Sequence, residues 1–190
     1  MVLFIAFTIH YSMGKTPQQP YKEILTKEGI EFRYYPAAVM ATVRSKGNTY
    51  TGNSSNYFRA LAGYIFGNNE KQDKIAMTAP VHMTKEDGQS AMSFVMPEGY
   101  TLQNLPKPNS KAVELHTAPE EYIAAIRFGG YASDSEIEEK KKKLKSALDA
   151  LHITYDNNFR FLGYNAPWDF LFRRNEVIVS ISKDDALKLK

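Results

Sequence analysis

The residues of this 190-residue chain with the most chemical potential are four histidines, a glutamate that follows two arginines in Arg173-Arg174-Asn175-Glu176, and a surplus of flat aromatic side chains. An imidazole can hold a metal. His10 lies in an apolar N-terminal run, His116 alternates with Val113 and Leu115 so as to point away from the core, and His152 follows a charged helix, where it can meet the C-terminal dipole. His82 sits near a hairpin on the side opposite the apolar residues, and it is the one candidate metal ligand left. The chain has no cysteine, which excludes disulfides, thiolate metal sites, a cysteine nucleophile and thioether-linked haem. It also lacks a Gly-x-Ser-x-Gly elbow, a His-Glu-x-x-His pair and a Gly-rich phosphate loop, so a small-molecule hydrolase would need another constellation, minimally Glu176 beside a tyrosine. Twelve Tyr and eleven Phe exceed what a core requires and suit a flat ligand as well as sheet packing.

Composition narrows the classes further. A hydrophobic content of 43% and a charged content of 24% are those of a globular chain, and a net charge of +3 with interleaved signs does not favour nucleic acid. The Lys140 to Lys143 run follows Glu136, Glu138 and Glu139 on one expected helix, where the signs complement the dipole. Residues 2–9 form an apolar run too short to span a bilayer and without a basic leader. Residues 1–20 are therefore expected to be an N-terminal extension or a vestigial export or anchor segment, with one domain from 21 to 190. The compartment is cytoplasmic, or periplasmic or membrane-anchored if residues 2–9 belong to a signal, and that segment is the only route to membrane association.

The elements that must position these residues follow from periodicity. Strands are expected around Ile30 to Tyr34 and Val39 to Val43, then a helix carrying Phe58, Leu61 and Ile65 and stopped by Gly67-Asn68-Asn69. A strand from Lys74 to Met83, a turn at Asp87-Gly88 and a strand from Met92 to Met96 come next, followed by a Gly- and Pro-containing linker from Glu98 to Ser110. The order then repeats: strands from Ala112 to Thr117 and Tyr122 to Phe128, a helix opened by a Ser133/Glu136 capping box with Ile137, Leu144, Leu148 and Leu151 on one stripe, and strands at 158–164 and 176–181. Ala79-Pro80 and Ala166-Pro167 each end a β-like stretch after a helix, which reads as a marker of two related halves. An α+β fold of two pseudo-twofold halves, a distorted antiparallel barrel flanked by two helices, is the architecture expected.

Six pieces carry a family resemblance: Tyr64-Ile65-Phe66-Gly67-Asn68-Asn69, the run KIAMTAPV from Lys74, Phe94-Val95-Met96-Pro97, Phe128-Gly129-Gly130-Tyr131, Gly163-Tyr164-Asn165-Ala166-Pro167 and Arg173-Arg174-Asn175-Glu176-Val177. In this order, from about Tyr21 to Ser182, they resemble the SOUL haem-binding family, which implies a GyrI-like barrel and non-covalent haem or tetrapyrrole binding for buffering or transport, without a reaction. The resemblance puts the pocket against the first helix, so Tyr57, Phe58, Leu61 and Ile65 are the candidate shelf, with core packing as their other use. Trp168 and Phe170 lie in a loop that is either a lid or buried. Basic residues that would hold propionates in the family fall at Ser55 and Asp169 here, so Arg59, Lys74, Arg173 or Arg174 must substitute, the last two having Glu176 as another partner. GyrI-like relatives imply an alternative, an effector-binding or sequestering domain for another flat or cationic molecule, with a buried carboxylate as its mark.

Overall fold

The computed structural model describes residues 16–47, 49–50, 52, 54–86, 88–165, 169 and 172–189. Its strands are β1 (Lys22–Lys27), β2 (Ile30–Tyr35), β3 (Ala38–Lys46), β4 (Val81–Glu86), β5 (Gln89–Val95), β6 (Val113–Ala118), β7 (Glu121–Phe128), β8 (Arg160–Gly163) and β9 (Asn175–Ile181). Helix α1 (Ser54–Ile65) lies between β3 and β4, α2 (Asp134–Ala150) between β7 and β8, and α3 (Lys183–Lys188) after β9. The strands form one antiparallel sheet in the order β1-β2-β7-β9-β8-β4-β5-β3-β6, curled into an open half-barrel.

This order explains the repeat seen in the sequence. The units β3-α1-β4-β5 and β7-α2-β8-β9 sit symmetrically about the β8/β4 seam, where Val81 faces Gly163 and Met83 faces Phe161. The strand preceding each unit is exchanged: β2 pairs with β7, and β6 with β3. Each half completes the other's sheet, and each core includes side chains of the exchanged strand: Ile30 and Phe32 of β2 in one, Val113 of β6 in the other. The Ala-Pro pairs are not equivalent positions in this repeat. Ala79-Pro80 precedes β4, whereas positions 166 and 167 follow β8 and lie outside the described residues.

Both long helices cover one face of the sheet. α1 packs Tyr57, Leu61, Tyr64 and Ile65 on Ala41, Met92 and Phe94, while α2 packs Ile137, Leu144 and Leu148 on Phe32, Val177 and Val179. The α2 capping box forms as expected, the Ser133 side chain accepting from the Glu136 N–H and the Glu136 carboxylate from that of Ser133. Gly67 ends α1 at φ +113°, and a Cβ there would stand 3.3 Å from the Gln72 carbonyl oxygen, so only glycine makes this exit.

Two expectations are corrected. The strand expected from Lys74 starts only at Val81, because the preceding backbone bonds elsewhere: the Ile75 N–H to the Ile65 carbonyl, and Ala79 to Pro17 and Gln19. The third helix was missed, being one short turn-and-a-half capped by Ser182. The face opposite the helices is not solvated either. It carries Tyr35, Ile123, Leu162 and Ile178, all buried, together with Arg33, Thr42, His82 and Glu176. Among the described residues, no helix is long and apolar enough to cross a membrane.

Candidate functional site

Two adjacent stripes of α1 have different fates. Tyr57, Leu61, Tyr64 and Ile65 point into the core, while Ser55, Phe58, Arg59, Ala62 and Gly63, also at i, i+3 and i+4 spacing, line a cavity of about 790 Å³. Its floor is the seam between the halves: Val81 and Met83 of β4, Phe161 and Gly163 of β8, and Met92 of β5. The opposite wall comes from the loop entering α2, with Tyr131 and Ala132, and from Asn165, Arg173 and Asn175. The volume falls in the range of small-molecule sites, roughly 300–1,000 Å³. Its apolar surfaces are broad, and its guanidinium groups, Arg59 and Arg173, sit on facing walls.

Of the residues expected at a site, Phe58, Arg59 and Arg173 line this cavity. Phe58 is half-buried and meets Phe94 edge-on at 5.4 Å. Tyr57, Leu61 and Ile65 do not line it: they are 6%, 0% and 1% exposed in the core beneath α1, and the Tyr57 hydroxyl lies 2.9 Å from Ser90 Oγ. The helical period sets Tyr57 about 100° and Leu61 about 60° around the helix from Phe58, toward the sheet, while Ile65 lies nearly in line with Phe58 but two turns further along, where α1 is buried. Trp168 and Phe170 lie outside the described residues. Ser55 lines the cavity with no charge to offer, and Asp169 accepts a bond from Asn165 and, through its carbonyl, from Arg173.

Arg174 goes to the other side of the sheet. There Glu176 Oε2 accepts from Arg33 (2.7 Å) and the Tyr164 hydroxyl (2.9 Å), and Oε1 accepts from Arg33 (2.9 Å) and twice from Arg174 (2.9 and 2.7 Å). Burial alone would raise the Glu176 pKa, but the hydrogen bonds and charge of Arg33, then of Arg174, outweigh it and hold the carboxyl below its usual range. Burial, and then the Glu176 charge, push the Tyr164 phenol well up. A saturated, weakly basic carboxylate beside a firmly protonated phenol is a structural brace. It has no lone pair left for a cationic ligand and no readiness to accept a proton from water. The residue sequence reading missed is Arg33: alternation with Ile30 and Phe32 assigns it to solvent, yet it is 0% exposed with Tyr21 stacked at 4.4 Å.

The histidines are also accounted for. His82 is buried on the face opposite the cavity, its Nε2 within 2.8 Å of Gln19 Oε1, and burial followed by the Arg160 charge pushes its pKa down to about 3. It cannot serve the cavity as a ligand. His116 is half-buried rather than outward, with Nε2 2.9 Å from Thr42 Oγ1. His152 adopts φ +54° just past the end of α2, and His10 lies outside the described residues.

The model of the SOUL heme-binding protein family matches residues 16–180. The chain belongs to the SOUL family. Curated relatives of this SOUL protein include heme-binding protein 2 of Mus musculus, 28% identical over 155 residues covering 77% of this chain and 75% of that one. Heme-binding protein 2 of Homo sapiens is 28% identical over 166 residues (83% and 80%), and heme-binding protein 1 of Xenopus tropicalis 24% over 161 residues (80% and 84%). Among solved structures, the EcmrR C-terminal domain aligns with TM-score 0.63 at 10% identity, over 86% of this chain and 98% of that one. A hydrolase from Listeria innocua aligns at 0.59 and 11% identity, over 83% and 94%. These likenesses show that the SOUL half-barrel shares its fold with effector-binding-type domains.

Proposed function

We propose that the cavity between α1, the β4/β8 seam and the Tyr131 and Arg173 walls binds haem or another tetrapyrrole non-covalently, as a buffer or carrier that catalyses no reaction. The observation that carries this reading is the cavity's chemistry: Phe58, Met83, Met92 and Phe161 offer apolar surface for a flat macrocycle, and Arg59 and Arg173 offer positive charge for carboxylates. Family membership supports it. The donor set fits the group, although its charges come from positions other than Ser55 and Asp169. When bound, the macrocycle brings its own absorbance and, in haem, an iron centre. Phe58 and Phe161 exclude water from the plate, and Arg59, which is exposed, turns toward a carboxylate at the rim at little cost in desolvation.

Glu176 does not favour a cationic effector or a hydrolase, since its oxygens are occupied by two arginines and a tyrosine. Titration of the protein with haemin, followed at the Soret band, tests the proposal. Saturable binding at micromolar haemin is expected, and Phe58→Asp, which sets an unpaired carboxylate in the apolar wall, should abolish it while leaving the thermal melt cooperative. No saturable change in the wild-type protein would remove the proposal.

A further inference from the structure

The cavity contains no histidine among the described residues that line it, and no carboxylate. Its possible iron donors are the Met83 and Met92 thioethers and the Tyr131 phenol. We infer that Tyr131 is the ligand for ferric iron in this cavity, with Arg173 as the positioning residue beside it; this rests on the tetrapyrrole reading above. Ferric iron is a hard acid and takes a phenolate oxygen, whereas a thioether suits a softer centre, and tyrosinate is an established haem ligand type.

The surroundings of Tyr131 are built for position. It follows Gly130, whose φ of +81° turns the chain, and the Gly130 carbonyl accepts a 2.7 Å bond from Asn175 Nδ2, a side chain at 2% exposure that also lines the cavity. The Arg173 guanidinium lies 4.5 Å from the centroid of the Tyr131 ring and is itself anchored by a 2.8 Å bond to the Asp169 carbonyl. A fixed cation against the ring provides the charge that a coordinated phenolate needs. At 54% exposure the ring is the most accessible of the three donors. Coordination is a ligand exchange without redox: the phenol O–H bond breaks, the iron–oxygen bond forms, and the proton leaves as water with the hydroxide carried by free ferric porphyrin.

Two probes separate this inference from the reading beneath it: ferric haemin, and metal-free protoporphyrin IX, which has no iron to coordinate. Wild type, Tyr131→Phe, Met83→Leu and Arg173→Gln are titrated with each, and the ferric complexes are examined by visible absorption and electron paramagnetic resonance. The expected result is a high-spin phenolate signature in wild type and Met83→Leu that is absent in Tyr131→Phe. Tyr131→Phe should bind haemin roughly tenfold more weakly, while its affinity for protoporphyrin IX stays within about twofold of wild type. Arg173→Gln should keep the signature with a shifted charge-transfer band. Identical ferric spectra for wild type and Tyr131→Phe, or loss of the signature in Met83→Leu, would overturn the assignment of Tyr131 and leave the cavity reading intact. A wild-type protein that binds neither probe would overturn both.

Discussion

Arg33→Met is the most informative test of the buried polar brace. Arg33 and Glu176 are both 0% exposed, and Arg33 gives two bonds to the carboxylate, one to Glu31 and a stacking contact to Tyr21. Removing one partner of a buried pair leaves the other charge uncompensated, at a cost of about 3–5 kcal/mol. Arg174 still neutralises Glu176, which sets the expected cost at the lower end, about 3 kcal/mol, or a fall in Tm of roughly 6–12 °C for a chain of this size. Arg174→Met should cost less, because that side chain is 18% exposed and water replaces its bonds. Glu176→Leu should cost most, since it strands two guanidinium groups, and the Arg33→Met/Glu176→Leu double variant should be more stable than Glu176→Leu alone. Urea melts read these differences as midpoint shifts at constant slope. A loss under about 1 kcal/mol for Arg33→Met, or a greater loss for Arg174→Met, would refute the reasoning.

Three further outcomes follow from the same structure. His82 has a folded pKa of about 3 against an ordinary 6.5, so its contribution is complete above pH 6.5 and lost as the pH falls toward 3. About 2 kcal/mol should disappear between pH 7 and pH 5, and His82→Gln should flatten that slope in melts at stepped pH; equal slopes would count against it. Gly63→Ala should stabilise the protein by about 0.5–1 kcal/mol, because a Cβ there meets only Asn68 at 3.9 Å in an ordinary contact, and a lower Tm would contradict this. Leu61→Ala should cost about 2–5 kcal/mol as a fully buried residue, so any loss of ligand binding it causes would track unfolding in a parallel melt.

The order of elements was legible because each strand and helix buries one periodic stripe against the sheet. The repeat was legible too, although its true marker is the strand exchange of β2 and β6, which no local pattern encodes. Patterning failed where both faces of a strand are enclosed. In β2, Phe32 and Arg33 are equally buried, so the polar residue that looked solvated is a core element whose partner lies 143 positions away. The same enclosure hid the burial of His82. At the cavity, sequence named α1 and Arg173, which do line it, but it grouped Phe58 with Tyr57, Leu61 and Ile65, because an apolar side chain on a helix reads the same whether it faces the core or a cavity. It also passed over Tyr131 as a cavity-lining residue although the Gly129-Gly130-Tyr131 turn was visible. Met83, Phe161 and Asn175 became neighbours only through the β4/β8 seam.

The central claim is that the 790 Å³ space beside α1 is a ligand site. The most direct measurement is a haemin titration of Gly63→Leu beside wild type, because Gly63 lines the cavity on a helix that favours leucine over glycine by up to about 1 kcal/mol. The account predicts saturable micromolar binding to wild type and its loss in Gly63→Leu, with the variant's Tm equal or higher. Wild-type affinity in a folded Gly63→Leu variant would contradict it.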